Sequence, residues 1–224
     1  MATIAANIQQ VRERIARACA AAQRPVQSVT LLTVSKTFGA DAVRKAFVAG
    51  ERRFGENYVQ EGVDKIAALA DLRAQIEWHL IGPLQSNKTR TVAENFDWVH
   101  SVDRLKIAER LSEQRPPQLP ALQVCLQVNI SDEASKSGVA PAEVPALAQA
   151  VAKLRGLQLR GLMAIPEPSA GGAPHRALRE LLAQLRTQGL PVDTLSMGMS
   201  GDLEAAISEG STLVRVGTAI FGNR

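Results

Sequence analysis

The 224 residues are 46% apolar and 21% charged, with a formal charge of +4, which is enough apolar sequence for a full buried core and excludes disordered or collagen-like classes. No run of 18 apolar residues and no charged-then-apolar leader occurs, so the sequence predicts neither a membrane span nor secretion, and the cytoplasm is the expected compartment. The positive charge is dispersed among acidic neighbours, as in Val11-Arg-Glu-Arg-Ile-Ala-Arg17, and only 4% of residues are aromatic, so a solvated surface rather than nucleic-acid binding is expected.

In chain order, residues 3–22 carry apolar positions at helical spacing and predict a leading helix. Strand-like runs follow at Val29–Ser35, Arg52–Gly55, Ile76–Ile81, Trp98–Val102, Leu122–Ile130, Leu157–Ala164, Thr194–Met197 and Leu213–Val216. Helical patterns separate them at Asp41–Ala49, Tyr58–Ala70, Asn87–Asn95, Arg104–Ser112, Pro141–Leu154, His175–Thr187 and Leu203–Ser208. Alternation of this kind argues for parallel strands joined by crossover helices, and eight units suit a closed (β/α)8 TIM barrel forming one domain over 1–224. The leading helix is expected to cover the seam left by a missing final helix. An open doubly wound sheet is the alternative. Cys19 and Cys125 fall in apolar surroundings and read as buried hydrophobes. The loop 166–174 carries Gly171-Gly172 among prolines and reads as a mobile connection.

The stretch Ser28 to Lys36 is a β-branched, apolar run ending on Ser35 and Lys36, which puts a lysine at the C-terminal tip of the first strand, where α/β proteins place chemistry. In a partly dry pocket such a lysine loses some of its preference for the ammonium form and can attack a carbonyl. A lysine snorkelling from a strand end is the plainer account. Two glycine-containing turns, Ser196-Met-Gly-Met-Ser200-Gly201-Asp202 and Arg215-Val-Gly217-Thr218, leave the last two strands. Loops at those positions of a barrel recurrently cradle phosphate through backbone N–H groups. Ordinary turn glycines and a helix cap account for them equally well.

Three other signatures fail. Gly82 to Thr89 has Walker-A spacing but Asn87 stands where the second glycine belongs. Gly198-Met-Ser200-Gly-Asp202 has an aspartate where a nucleophile elbow closes on glycine. His79, His100 and His175 have no metal-ligand spacing.

The runs Val34-Ser-Lys36, Phe54-Gly-Glu-Asn57-Tyr-Val-Gln-Glu61, Trp78-His-Leu-Ile-Gly-Pro-Leu-Gln-Ser-Asn-Lys88, Leu162-Met-Ala-Ile-Pro166, Ser196 to Asp202 and Arg215 to Gly222 span almost the whole chain in order. Together they resemble the YggS/PROSC family of pyridoxal phosphate homeostasis proteins. The resemblance implies a fold-type III, alanine racemase N-terminal-like barrel in which Lys36 holds pyridoxal 5′-phosphate as a Schiff base. It further implies that Ser200, Gly201, Gly217 and Thr218 hold the phosphate and that Arg215 faces the pyridine nitrogen. An arginine there leaves the ring nitrogen unprotonated and the ring a weaker electron sink; a buried salt bridge is the alternative role for it. Asn57, His79, Asn129 and Met163 are expected at strand ends lining the pocket, while Lys136 reads as a polar-loop lysine outside it. The resemblance favours a cofactor-holding protein, with PLP-dependent apoenzymes as candidate recipients and a monomer as the expected state. An amino-acid racemase is the rival reading, but the expected barrel leaves no room for a second domain carrying the opposing base. The only tyrosine is Tyr58.

Overall fold

The computed structural model describes residues 3–131, 137–167 and 171–222; Lys136 and the central part of the 166–174 loop lie outside the described residues. Eight parallel strands close into a barrel in sequence order: β1 (Thr30–Val34), β2 (Arg53–Glu56), β3 (Glu77–Leu80), β4 (Trp98–Val102), β5 (Leu122–Gln127), β6 (Leu157–Met163), β7 (Thr194–Ser196) and β8 (Leu213–Val216). Strands β1 and β8 pair from Thr30↔Leu213 to Thr33↔Val216 and complete the circle, so the closed alternative is the one adopted.

Around the barrel lie α1 (Ile4–Ala21), α2 (Ala40–Val48), α3 (Val59–Ala68), α4 (Thr89–Asn95), α5 (Leu105–Gln114), α6 (Val144–Val151), α7 (Ala173–Thr187), α8 (Leu203–Ser208) and α9 (Thr218–Phe221). The short α9 corrects the expectation that the last helix is missing. With only four residues, two of them β-branched, it leaves no periodicity to read. Helix α1 does cover the seam. It is capped by Thr3, whose side chain accepts from the Ala6 amide, and buries Ile8, Val11, Ile15, Ala18 and Cys19 along one stripe. Asn7 Nδ2 donates to the Ile220 carbonyl at 2.8 Å, and Arg24 donates to the carbonyls of Ile207 and Ser211, fastening α1 to α9 and to the α8–β8 turn.

The main core lies between the barrel and its helices and includes Phe54, Trp78, Leu80, Phe96, Leu111 and Leu185. The barrel interior is a second, separate compartment. The pairs Leu32↔Arg215, Gly55↔His79, His79↔Trp98 and Met163↔Ser196, with the two-residue alternation along each strand, turn Leu32, Gly55, His79, Trp98, Cys125, Met163, Ser196 and Arg215 inward. Of these, Trp98, Cys125 and Met163 form their own apolar cluster. Met163 is therefore interior packing rather than cleft lining, and the fully buried His79 is likewise inside the barrel. Both depart from the sequence expectation, because a strand-end residue two positions further along, Ile165 or Ile81, is the one that reaches the mouth.

Candidate functional site

A cleft of about 540 Å³ opens at the C-terminal ends of the strands, the face where barrel proteins carry chemistry. Lys36, Asn57, Ser200, Gly201, Arg215, Gly217 and Thr218 all line it, with Val34, Phe38, Ile81, Ile165 and Met199 as its apolar wall. The parity of the strands explains the convergence. Leu32 is in register with Arg215, so Val34 and Lys36 follow it inward on β1 while Gly217 follows Arg215 on the neighbouring β8. Tyr58 does not line the cleft; it is exposed at the start of α3. Asn129 lines an adjoining hollow of about 290 Å³ that shares Asn57, Ile81 and Ile165 with the main cleft.

Lys36 is exposed, as in the snorkelling alternative rather than the partly dry one, and it has no hydrogen-bonding or ionic partner among the described residues. Its position is fixed from below. Thr37, the next residue, has φ +74°, a backbone region that a β-branched residue enters only under constraint. Glu61 accepts the Thr37 amide. The buried Lys65 ammonium then ties the turn to β2, donating to Glu61 Oε1 at 2.7 Å, to both Glu56 oxygens at 2.8 and 2.9 Å, and to the Ser35 carbonyl at 2.7 Å. Ser35 Oγ donates to Glu56 at 2.5 Å. Burial raises the Glu56 carboxyl above its ordinary value, with Lys65 and Ser35 opposing. Sequence reasoning missed this cluster; its signals were a glutamate inside a buried strand run and the Glu61/Lys65 pair four apart on a helix.

The two glycine turns face Lys36 across the cleft. The turn after β7 is held by Asp202, whose Oδ1 accepts from the Met199 amide at 2.7 Å and whose Oδ2 lies 3.0 Å from His175 Nε2. Burial pushes the Asp202 carboxyl up, and the His175 and Met199 hydrogen bonds more than reverse it, leaving it below the ordinary value. Arg14 of α1 donates to the Ser200 carbonyl at 2.8 Å and pairs with Glu204, a contact between residues 186 apart that no local pattern announces. At Gly217 an added Cβ would lie 2.8 Å from the Val34 carbonyl oxygen, so only glycine allows β8 to leave so close to β1. Gly201 has open space where its Cβ would be.

Arg215 is buried in the cleft floor. Nη1 donates to the Ser196 carbonyl at 2.6 Å and to Ser196 Oγ at 2.8 Å, and Nη2 donates to the Ala164 carbonyl at 2.8 Å. Its hydrogen bonds go to neutral oxygens, so the alternative of a buried salt bridge is not the arrangement adopted among the described residues. Burial lowers the guanidinium to about 10, with Asp202 opposing, which leaves it charged at neutral pH. Asn57 Oδ1 is buried without a hydrogen-bond partner at the junction of the cleft and the side hollow.

The family model described as alanine racemase, N-terminal domain, matches residues 1–224. The chain belongs to this family. It is 63% identical over 228 residues to a pyridoxal phosphate homeostasis protein of Pseudomonas aeruginosa, covering 100% of this chain and 97% of that one. A protein of the same description from Escherichia coli is 55% identical over 229 residues, covering 100% and 98%. Among solved structures, PipY of Synechococcus elongatus with PLP bound is 39% identical with a TM-score of 0.85, over 98% of this chain and 100% of that chain. Alanine racemase from Corynebacterium glutamicum, at 18% identity and a TM-score of 0.66, shares the barrel; the match covers 95% of this chain and 61% of the racemase.

Proposed function

We propose that this chain binds pyridoxal 5′-phosphate, captures it covalently through Lys36, and serves vitamin B6 homeostasis by holding the cofactor rather than by using it as a catalyst. The observation that carries the reading is the convergence on one cleft of a lysine, two glycine turns and a buried arginine. The relatives named pyridoxal phosphate homeostasis proteins, and the PLP-bound PipY, support the same assignment.

The lining fits such a group. Pyridoxal phosphate brings an aldehyde, an anionic phosphate and a ring nitrogen. Lys36 is the amine within the cleft, and the amides around Ser200, Gly201, Gly217 and Thr218 are donors suited to an anion. Arg215 has given three N–H bonds to the barrel, and its remaining donors have no partner among the described residues. The orphaned Asn57 Oδ1 calls for a donor that a polar ligand would supply. Arg215 stays charged while presenting only N–H groups, so it can bind the ring nitrogen as a donor without handing over a proton. That arrangement favours holding over carbanion chemistry.

A two-base racemase needs a second proton-transfer group opposite the lysine. Tyr58 is outside the cleft, and the fit to the racemase fold alone does not supply such a group. The same reading takes the 224 residues as one cofactor-binding domain, monomeric and cytoplasmic, with PLP-dependent apoenzymes as recipients. Cys19 and Cys125, both buried as free thiols, are consistent with a reducing compartment.

The test is the absorbance spectrum of the purified protein loaded with pyridoxal 5′-phosphate, then borohydride reduction and peptide mass analysis. The expected result is a visible band and a reduced adduct on Lys36, both lost in Lys36→Ala. An adduct that persists at the same occupancy in Lys36→Ala overturns the assignment, and interconversion of L- and D-amino acids at ordinary enzyme rates overturns the non-catalytic role.

A further inference from the structure

The barrel interior holds a line of polar side chains where a (β/α)8 barrel ordinarily stacks branched aliphatics. It begins at Glu77, at the N-terminal end of β3 beside an arginine-lined cleft that includes Arg53, Arg73 and Arg160. Glu77 Oε1 lies 2.9 Å from His79 Nε2. His79 Nδ1 lies 2.9 Å from His100 Nε2, and His100 Nδ1 lies 2.8 Å from Ser196 Oγ, which accepts from Arg215 at 2.8 Å. Both histidines and the serine are fully buried, and Trp98 stacks on His79 with centroids 5.2 Å apart. Five side chains from four strands thus connect the barrel's far mouth to the floor of the cleft.

We propose that Glu77, His79, His100 and Ser196 form a one-directional positioning relay that fixes how Arg215 is presented to the cofactor. The proton positions follow from the two ends. A carboxylate only accepts, so His79 carries its proton on Nε2 and leaves Nδ1 as an acceptor. His100 must then donate from Nε2, which leaves its Nδ1 as an acceptor. Ser196 Oγ therefore donates its single proton to His100 and turns its lone pairs toward Arg215. Any other placement sets two acceptors or two donors against each other in a buried site, or requires a charged imidazole there. The ionisation states agree. Burial pushes Glu77 up and the His79 hydrogen bond, with the Arg53 charge, holds it below its ordinary value, while burial lowers both histidines.

The relay deepens the cofactor-binding reading and rests on it for its functional consequence, but its proton pattern does not. Nitrogen-15 NMR of the imidazoles in the full chain before loading is expected to show His79 and His100 neutral and protonated on Nε2 at neutral pH. Cofactor titration followed by absorbance then reads the consequence. Ser196→Ala removes one hydrogen bond to a buried charge and should weaken binding about tenfold while shifting the visible band. Glu77→Leu should move the band in the same sense and change the His100 nitrogen shifts, and Glu77→Gln, which keeps the acceptor, should restore both. Imidazolium or Nδ1–H signals assigned to His79 or His100 in the unmodified chain refute the relay, as do Ser196→Ala and Glu77→Leu variants that fold and bind with band and affinity within twofold of the parent. Should the unmodified chain show no visible band with the NMR pattern intact, the cofactor reading fails and the relay's proton order stands.

Discussion

The ammonium of Lys65 is the keystone under the Lys36 turn, and its removal tests how the fold holds its exposed lysine. In Lys65→Met the side chain keeps its length and apolar stem but leaves Glu56, which is fully buried, without its cation, and leaves the Ser35 carbonyl and Glu61 without a shared donor. Breaking one partner out of a buried ion pair costs about 3–5 kcal/mol, a large part of the roughly 5–15 kcal/mol by which a domain is stable. The loss depends on pH in a definite sense. Glu56 is already raised by burial, and the Lys65 and Ser35 interactions oppose that rise. Without Lys65 its folded value climbs further above the unfolded one. A group raised in this way adds stability below its unfolded value and loses it as pH rises through the folded value. The gap between parent and variant is therefore full at alkaline pH and narrows as the solution is acidified through the raised Glu56 value. Urea unfolding followed by circular dichroism, at about pH 8 and about pH 5, measures both gaps as midpoint shifts at constant slope. A gap below about 1 kcal/mol at the higher pH, the range of an exposed pair, refutes the buried-pair account, and so does a gap equal at both pH values.

Gly217→Ala sets a methyl 2.8 Å from the Val34 carbonyl and should cost about 1–3 kcal/mol together with most of the cofactor affinity, whereas Gly201→Ala meets open space and should stay within about 0.5 kcal/mol, both read by thermal melts and cofactor titration. Asp202, held below its ordinary value of 3.8, contributes stability above that value and loses it as pH falls through the folded one. The parent's melting temperature should therefore drop more steeply on acidification below about pH 4 than that of Asp202→Asn, which keeps an acceptor for the Met199 amide but does not titrate.

Strand existence was legible because each strand is a short apolar run bounded by turn residues, and the alternation with helices left few topologies open. All seven residues expected at the cofactor site line one cleft: Lys36, Asn57, Gly217 and Thr218 sit one or two positions past a strand end, Arg215 is on β8 itself, and Ser200 and Gly201 are carried back by the turn after β7. Errors arose where a side chain's surroundings depend on a distant strand. His79 and Met163 lie at strand positions that read as mouth residues, yet register with Trp98 and Ser196 draws them into the interior. For Lys36 the sequence left a partly dry and a snorkelling lysine open, and no pattern near it reports that the turn leaves it exposed. The Glu61/Lys65 spacing was visible, but the Lys65 bond to the Ser35 carbonyl and the Arg14 contact to Ser200 join segments 30 and 186 residues apart, which spacing could not announce.

The exposure of Lys36 bears on what kind of cofactor protein this chain is. A catalyst built on a lysine gains from excluding water around it, since a dry amine is more nucleophilic and a closed site protects reactive species. A holder has the opposite requirement, because capture and release both need water and a path for the cofactor. Here the lysine is exposed in the cleft, while the groups proposed to recognise the rest of the cofactor are rigidly placed. Arg215 is buried on three hydrogen bonds, Gly217 is packed against β1, and the Asp202 turn is tied to α7 through His175. On the proposed function, such a division puts specificity in the floor and the two turns and leaves a covalent bond at Lys36 open to exchange. The cleft also bridges β1 and β8, the pair that closes the barrel, so a cofactor held as proposed links the first strand to the last turn. Any ligand selective for the folded state stabilises it by mass action, and cofactor loading should therefore raise the melting temperature most strongly through this seam.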